Sequence, residues 1–490
     1  MRILETPEKN NAFQNCIEKG QVVEAVSALV REYAGEKKAL AEKLVGAEWL
    51  KVQKKEIKTI GMYYHRMTPG GVQRVISLLI PLYLEWGYKV VLLTDEEHLG
   101  EEYVVPEQVE RIVLPSALLL TYDEYPKRAE LLKEALVNNR IDVMLYHAAE
   151  SRFLLYDLIL TKSLGIPFCI AVHGLFSAEM LRQNYHIIEK KSTFKLADRL
   201  IVLSEMEKAF WIALGIDTVF IPNPVQELPF SEKEGEYILW LGRLEEVCKQ
   251  PAHAVEIMKR VTEVYPETTM KMVGTEVSKG VIKKLRKKIK KAGLNKNIAI
   301  CEGTTDVGHY YENAKVFLCT SAVEAFSMTL VESKAYGIPL VTYDMPYLEV
   351  LKQSKGFISV PQDDVSAGAR AIIELLEKDE LRKRLKEEAR ESYEMLRQYD
   401  LRSSWEELLS DLFENVGKAK KIVQENAQLS LAIHTMLEHY GKGCIKNGAG
   451  AEHKPIRILW RFGRVYRFWK ENGFRQTRKM ILHKIGDTHG

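Results

Sequence analysis

The 490-residue chain has little of what marks secreted, membrane-spanning or nucleic-acid-coating proteins. Its opening residues, MRILETPEKNN, carry no apolar signal segment. The most apolar window, VISLLIPLYLEWGYKVVLL, is interrupted by Pro81, Glu85 and Gly87, so it reads as helix, turn and strand rather than a bilayer span. Six cysteines (Cys16, Cys169, Cys248, Cys301, Cys319 and Cys444) include no C-x-x-C pair, which predicts reduced thiols in a cytoplasmic protein. Lysine and arginine number 70 against 67 acidic residues, and a net charge of +3 argues against wholesale nucleic-acid binding. No strand-like run is followed by G-x-G-x-x-G, which excludes a nicotinamide fingerprint. There is no repeat at solenoid period.

What the chain does contain is alternation. From about residue 57, near-continuous apolar runs (IKTIGMYYH, KVVLLTD, VERIVLPS, IDVMLYHA, PFCIAVHG, RLIVLSE, TVFIPNPV) are separated by amphipathic helical stretches. That pattern predicts an α/β fold whose parallel sheet is covered on both faces. IPNPVQELPFSEKEGE breaks it with three prolines and a charged patch, as a linker would. The alternation then resumes with YILWLGRL, TMKMVGTE, IAICEG, AKVFLCTS, PLVTYDM and GFISVPQD. The expected organisation is a helical extension over 1–55, Rossmann-like doubly wound domains over 56–225 and 226–397, returning helices over 398–440, and a flexible break with a basic tail over 441–490. Ligands of such sheets bind beyond the carboxyl ends of the strands, so the site belongs in the cleft between two facing domains.

One stretch invites a chemical reading. In SAVEAFSMTLVESKAYGIPLV, Glu324 and Glu332 lie eight positions apart. AKVFLCTS reads as a strand, Ser327 as an N-cap, and Gly337 with Pro339 as the helix stop and the next strand start. The helix N-terminus supplies unpaired N–H groups and partial positive charge for a phosphate. Glu332 lies about 7–8 Å along the helix and leans back toward that seat. A phosphate seat flanked by two hydroxyl-gripping carboxylates suits a sugar–phosphate–sugar ligand. Helix-dipole complementarity alone also accounts for such acids, and two glutamates eight apart are common by chance.

The neighbouring segments settle the resemblance. GGVQRV at 70–75, VHG at 172–174, IVLSE, FIPNPV, LGRLEEVCK, MVG, CEG, YYENAKVFLCTS and EAFSMTLVESKAYGIPLV occur in the order of glycosyltransferase family 4, the retaining sugar transferases with an E-x7-E segment and the two-domain GT-B fold. The resemblance covers about residues 57–415. It implies that Arg243 and Lys249 neutralise the donor diphosphate and that Glu332 binds the nucleotide ribose. By the same resemblance Glu324 faces the sugar hydroxyls, and the backbone over Phe326, Ser327, Met328 and Thr329 lies near the phosphates. Gly70, Gly71 and Gly274 would allow close backbone approach to the donor, and His173 is similar to the family's active-site histidine. His147 also ends a strand on the ligand-facing edge, with its role left open. Where the family commonly has glycine, this chain has Ala325 and Ser327.

The implied activity is retaining, metal-independent hexosyl transfer, with no cofactor. The donor is a nucleotide-diphosphate sugar, UDP-linked in the first instance and GDP-linked as the alternative. The acceptor is a glycan or a lipid-linked molecule in cell-surface polysaccharide or glycoconjugate synthesis. The chain contains no D-x-D sequence, the pattern that holds a divalent metal in the other main transferase fold. A nucleotide-sugar epimerase of the same fold and a catalytically silent scaffold are the competing readings. Residues 454–484 hold ten cations and one acid, a pattern suited either to an anionic membrane surface or to packing on the protein itself. The expected location is therefore cytoplasmic, at the inner membrane face if the tail binds lipid.

Overall fold

The structure is a computed structural model and describes residues 4, 7–50, 52, 56–97, 100–182, 187–277, 279–352, 355–412 and 426–446. Two parallel sheets dominate it. The first contains β1 (Thr59–Tyr63), β2 (Lys89–Thr94), β3 (Glu110–Val113), β4 (Val143–Tyr146), β5 (Phe168–Ala171), β6 (Arg199–Val202) and β7 (Thr218–Phe220). Their spatial order is β3-β2-β1-β4-β5-β6-β7. The second contains β8 (Tyr237–Leu241), β9 (Met270–Val273), β10 (Ile298–Cys301), β11 (Ala314–Cys319), β12 (Leu340–Tyr343) and β13 (Phe357–Val360), in the order β10-β9-β8-β11-β12-β13. All thirteen strands fall within the apolar runs named above.

The period of two sorts side chains between layers. Along β8, Tyr237 and Leu239 join one core cluster while Ile238 and Trp240 join another. Both sheets reverse direction after their first strand, between β1 and β4 and between β8 and β11. These switch points are where an open sheet parts its loops and leaves a crevice.

Helices outside the two sheets tie the molecule together. Val22–Tyr33 buries Val26, Leu29, Val30 and Tyr33 against the Tyr125–Asn138 and Leu154–Ser163 helices of the first domain. Leu401–Asp411 returns to that domain, where Trp405 meets Tyr83 edge-on at 5.3 Å. Asn426–Lys446 lies along the Ala178–Leu181 and Glu205–Ala213 helices. It stays helical through Gly441 and Gly443, where the glycines had suggested a break beginning at 441. The reason is contact: a Cβ on Gly443 would lie 2.5 Å from the Met180 carbonyl oxygen. There the glycine serves close packing and not flexibility. The basic tail, 454–484, lies outside the described residues.

Candidate functional site

The second sheet builds the more explicit half of the site. Arg243 and Lys249 follow β8, and Glu324 follows β11, its neighbour across the switch point. The two loops are locked together by backbone and side-chain bonds. Ala322 N–H donates to the Cys248 carbonyl at 2.7 Å, and Thr320 Oγ1 donates to the Lys249 carbonyl at 2.9 Å. Trp240 Nε1 in turn donates to Thr320 Oγ1 at 2.9 Å. Gly274, at the end of β9, has no room for a side chain, since a Cβ would stand 1.8 Å from the Gly242 carbonyl oxygen.

Within this frame Lys249 Nζ donates to Glu324 Oε1 at 2.5 Å, and Ser321 Oγ donates to the same oxygen at 2.6 Å. The lysine expected at the diphosphate and the carboxylate expected at the sugar are therefore partners. Arg243 is exposed; burial pushes the phenol of Tyr64, which follows β1 in the first domain, above its usual range, and the Arg243 charge opposes that rise.

Glu332 is buried in the Met328–Ala335 helix. Tyr311 OH donates to its Oε2 at 2.9 Å, and Arg74 Nε of the first domain stands 3.6 Å from its Oε1. Burial pushes the Glu332 carboxyl up, against the opposing pull of Arg74 and Tyr311. Phe326 is buried, while Met328 and Thr329 are part-buried at the start of that helix. Ser327 occupies the N-cap position but makes no capping bond, because its φ of 66° turns it into the left-handed region. Ser327 Oγ instead pairs with Thr329 Oγ1 at 3.2 Å.

The first domain supplies the facing wall. Gly70 and Gly71 open the Gly71–Glu85 helix, which carries Arg74 on its first turn. A Cβ on Gly70 would meet only the movable end of the Gln73 side chain, with Oε1 at 2.4 Å, and a Cβ on Gly71 would meet open space. His173 follows β5 and His147 follows β4. Their rings stack at 5.1 Å with His147 Nδ1 and His173 Nε2 2.8 Å apart. Burial holds His147 well below the usual imidazole range and His173 at about 4, so both rings are neutral at physiological pH and share one proton between those nitrogens. His147 Nε2 is buried without a hydrogen-bond partner.

Sequence reasoning left His147 open and missed three further residues at the rim. Arg74 had a signal, a cation on the first turn after the glycine pair. His65 and Asp95 follow β1 and β2, and His65 Nδ1 lies 2.7 Å from Asp95 Oδ2. Asp95 also accepts from Tyr63 OH at 2.8 Å and from the fully buried Arg128 at 2.7 Å. Burial disfavours its charge, but His65 and Arg128 outweigh burial and hold the carboxyl below its usual range.

Two family descriptions cover this architecture in tandem. Residues 69–227 match Glycosyltransferase Family 4, and residues 226–392 match Glycosyl transferases group 1. The chain belongs to glycosyltransferase family 4. Its fold is accordingly GT-B, two facing Rossmann-like domains. This glycosyltransferase is 25% identical to a phosphatidyl-myo-inositol mannosyltransferase of Mycolicibacterium smegmatis over 341 residues, 66% of this chain and 86% of the relative. Among solved structures, sucrose-phosphate synthase from Thermosynechococcus elongatus superposes with a TM-score of 0.61 at 18% identity, covering 73% of this chain and 99% of that one. HepE of Anabaena in complex with UDP-glucose superposes with a TM-score of 0.60 at 14% identity, covering 73% and 99% respectively. Both structures share the two-domain core.

Proposed function

We propose that this glycosyltransferase moves a hexose from a UDP-sugar, with a GDP-sugar as the alternative, onto a glycan or lipid-linked acceptor in cell-surface glycoconjugate synthesis. The reading is supported by the placement of Arg243 and Lys249 after β8 and of Glu324 and Glu332 after the adjacent β11, with Lys249 bonded to Glu324. The name of the mannosyltransferase relative supports a lipid-linked acceptor, and the UDP-glucose bound to HepE supports the donor class.

In this reading Glu332 accepts hydrogen bonds from the ribose hydroxyls. Arg243 and Lys249 stabilise charge on the departing diphosphate, as preorganised cations in a partly dry cleft do. Glu324 orients Lys249 and presents its second oxygen to the sugar. The neutral His173, fixed by His147, offers hydrogen bonding without charge beside the transferred sugar. The anomeric C–O bond to phosphate breaks, the acceptor oxygen bonds to the same face, and its proton passes to the leaving phosphoryl oxygen. No divalent metal is required, because cations and the helix N-terminus carry the phosphate charge.

Thermal-shift screening against nucleoside diphosphates and their sugars identifies the donor, with UDP expected to give the largest shift. Donor hydrolysis or transfer then follows by release of nucleotide. Activity abolished by EDTA, or an inverted linkage in the product NMR spectrum, would overturn the mechanism; Arg243→Ala retaining full activity would overturn the site.

A further inference from the structure

Positive charge is spread unevenly over the second domain. From Lys279 to Lys296 there are nine lysines and arginines and no acid, in a chain whose net charge is +3. Most stand on the Val281–Lys291 helix, whose buried stripe of Val281, Leu285 and Ile289 packs inward. Lys283, Lys284, Arg286, Lys287, Lys290 and Lys291 are all exposed.

The charges are not neutralised by their surroundings. Among the described residues the helix makes one ion pair, Lys288 to Glu256 at 2.8 Å. Like charges three and four positions apart on a helix destabilise it. The Asp379–Arg397 helix of the same domain shows the ordinary solution, with Arg382, Lys383, Arg384 and Arg397 each paired to an acid of their own helix. An external polyanion would relieve the repulsion that remains on 281–291.

We propose that the exposed face of the Val281–Lys291 helix docks on an anionic lipid bilayer. The face is almost entirely lysine, a compact point charge suited to a diffuse layer of headgroups. It lacks interleaved aromatic or amide side chains that would stack on or read bases. The apolar stripe is already buried in the domain, so the helix lies against the surface without inserting, and the attraction is screened by salt. The helix starts seven residues beyond Gly274, so docking holds the donor edge of the cleft near the membrane. This inference rests on charge alone and stands apart from the donor reading.

The test is co-sedimentation of the full chain with vesicles of 30% phosphatidylglycerol in phosphatidylcholine, and with pure phosphatidylcholine. Binding to the anionic vesicles alone, falling as salt rises, is expected. Lys283→Glu, Lys287→Glu and Lys290→Glu in combination should weaken it at least about tenfold, and the matching glutamine triple to an intermediate degree. The thermal midpoint should not fall and donor hydrolysis should be unchanged in both variants, which separates lost docking from lost folding. Undiminished vesicle binding by the glutamate triple overturns the proposal, as does the absence of binding. Tighter binding to a duplex oligonucleotide than to vesicles, lost in the same triple, overturns it in favour of nucleic acid.

Discussion

Arg74 of the first domain and Glu332 of the second stand 3.6 Å apart, so a cation from one wall of the cleft caps the carboxylate proposed to hold the donor's ribose. A second bridge reinforces this closure. Glu101 in the first domain accepts from Thr304 Oγ1 at 2.7 Å and from Thr305 N–H at 2.5 Å in the second. A ligand with ribose hydroxyls competes with Arg74 for the same oxygen. Arg74→Ala combined with Glu101→Ala should therefore loosen the ligand-free enzyme, seen as a larger radius of gyration in X-ray scattering. A scattering curve identical to wild type would show that these contacts do not hold the domains together.

The divided roles of the charged groups predict divided kinetics. Glu332→Gln keeps the side chain's size but weakens its acceptors, and should raise the donor KM about tenfold with little change in kcat. Arg243→Ala removes a cation needed most in the transition state and should cost about 10²–10³ in kcat/KM. Steady-state assays over a donor series distinguish the two; equal effects on KM in both variants would defeat the assignment.

Ser327 stands with φ at 66°, a conformation that glycine adopts without a Cβ clash. The left-handed region costs a non-glycine residue about 1–2 kcal/mol, of which the greater entropy of unfolded glycine takes back about 0.5–1 kcal/mol. Ser327→Gly should thus raise stability by about 0.5 kcal/mol, whereas a β-branched Ser327→Val should lower it. Chemical denaturation of the two variants checks the sign.

Acidification should destabilise the fold before the carboxylates titrate. Burial lowers the pKa of His147, of His173 to about 4 and of His439 to about 4. Between the unfolded histidine value near 6.5 and the folded values, the unfolded chain binds more protons, so stability falls as pH falls through that window. Glu207 acts in the opposite sense. Burial raises its pKa to about 8, so the folded state holds a proton that the unfolded carboxylate lacks, and stability falls as pH rises from about 4.5 toward 8. The melting midpoint should drop from pH 7 to pH 5, and drop further in Glu207→Gln, where the opposing contribution is gone. A flatter profile in that variant would contradict the balance.

Local apolar periodicity was enough to locate all thirteen strands, because a strand buried on both faces must be apolar almost throughout and helices must separate parallel neighbours. The E-x7-E segment, the glycine pair and the two cations were legible for a similar reason, since each belongs to one short loop or helix start. What pairs with what was not legible. That Lys249 binds Glu324, that Arg74 reaches Glu332, that His147 stacks on His173, and that Gly443 continues a helix are all consequences of distances between remote stretches of chain. Those distances exist only once two sheets have packed and faced each other, and no spacing along the chain encodes them.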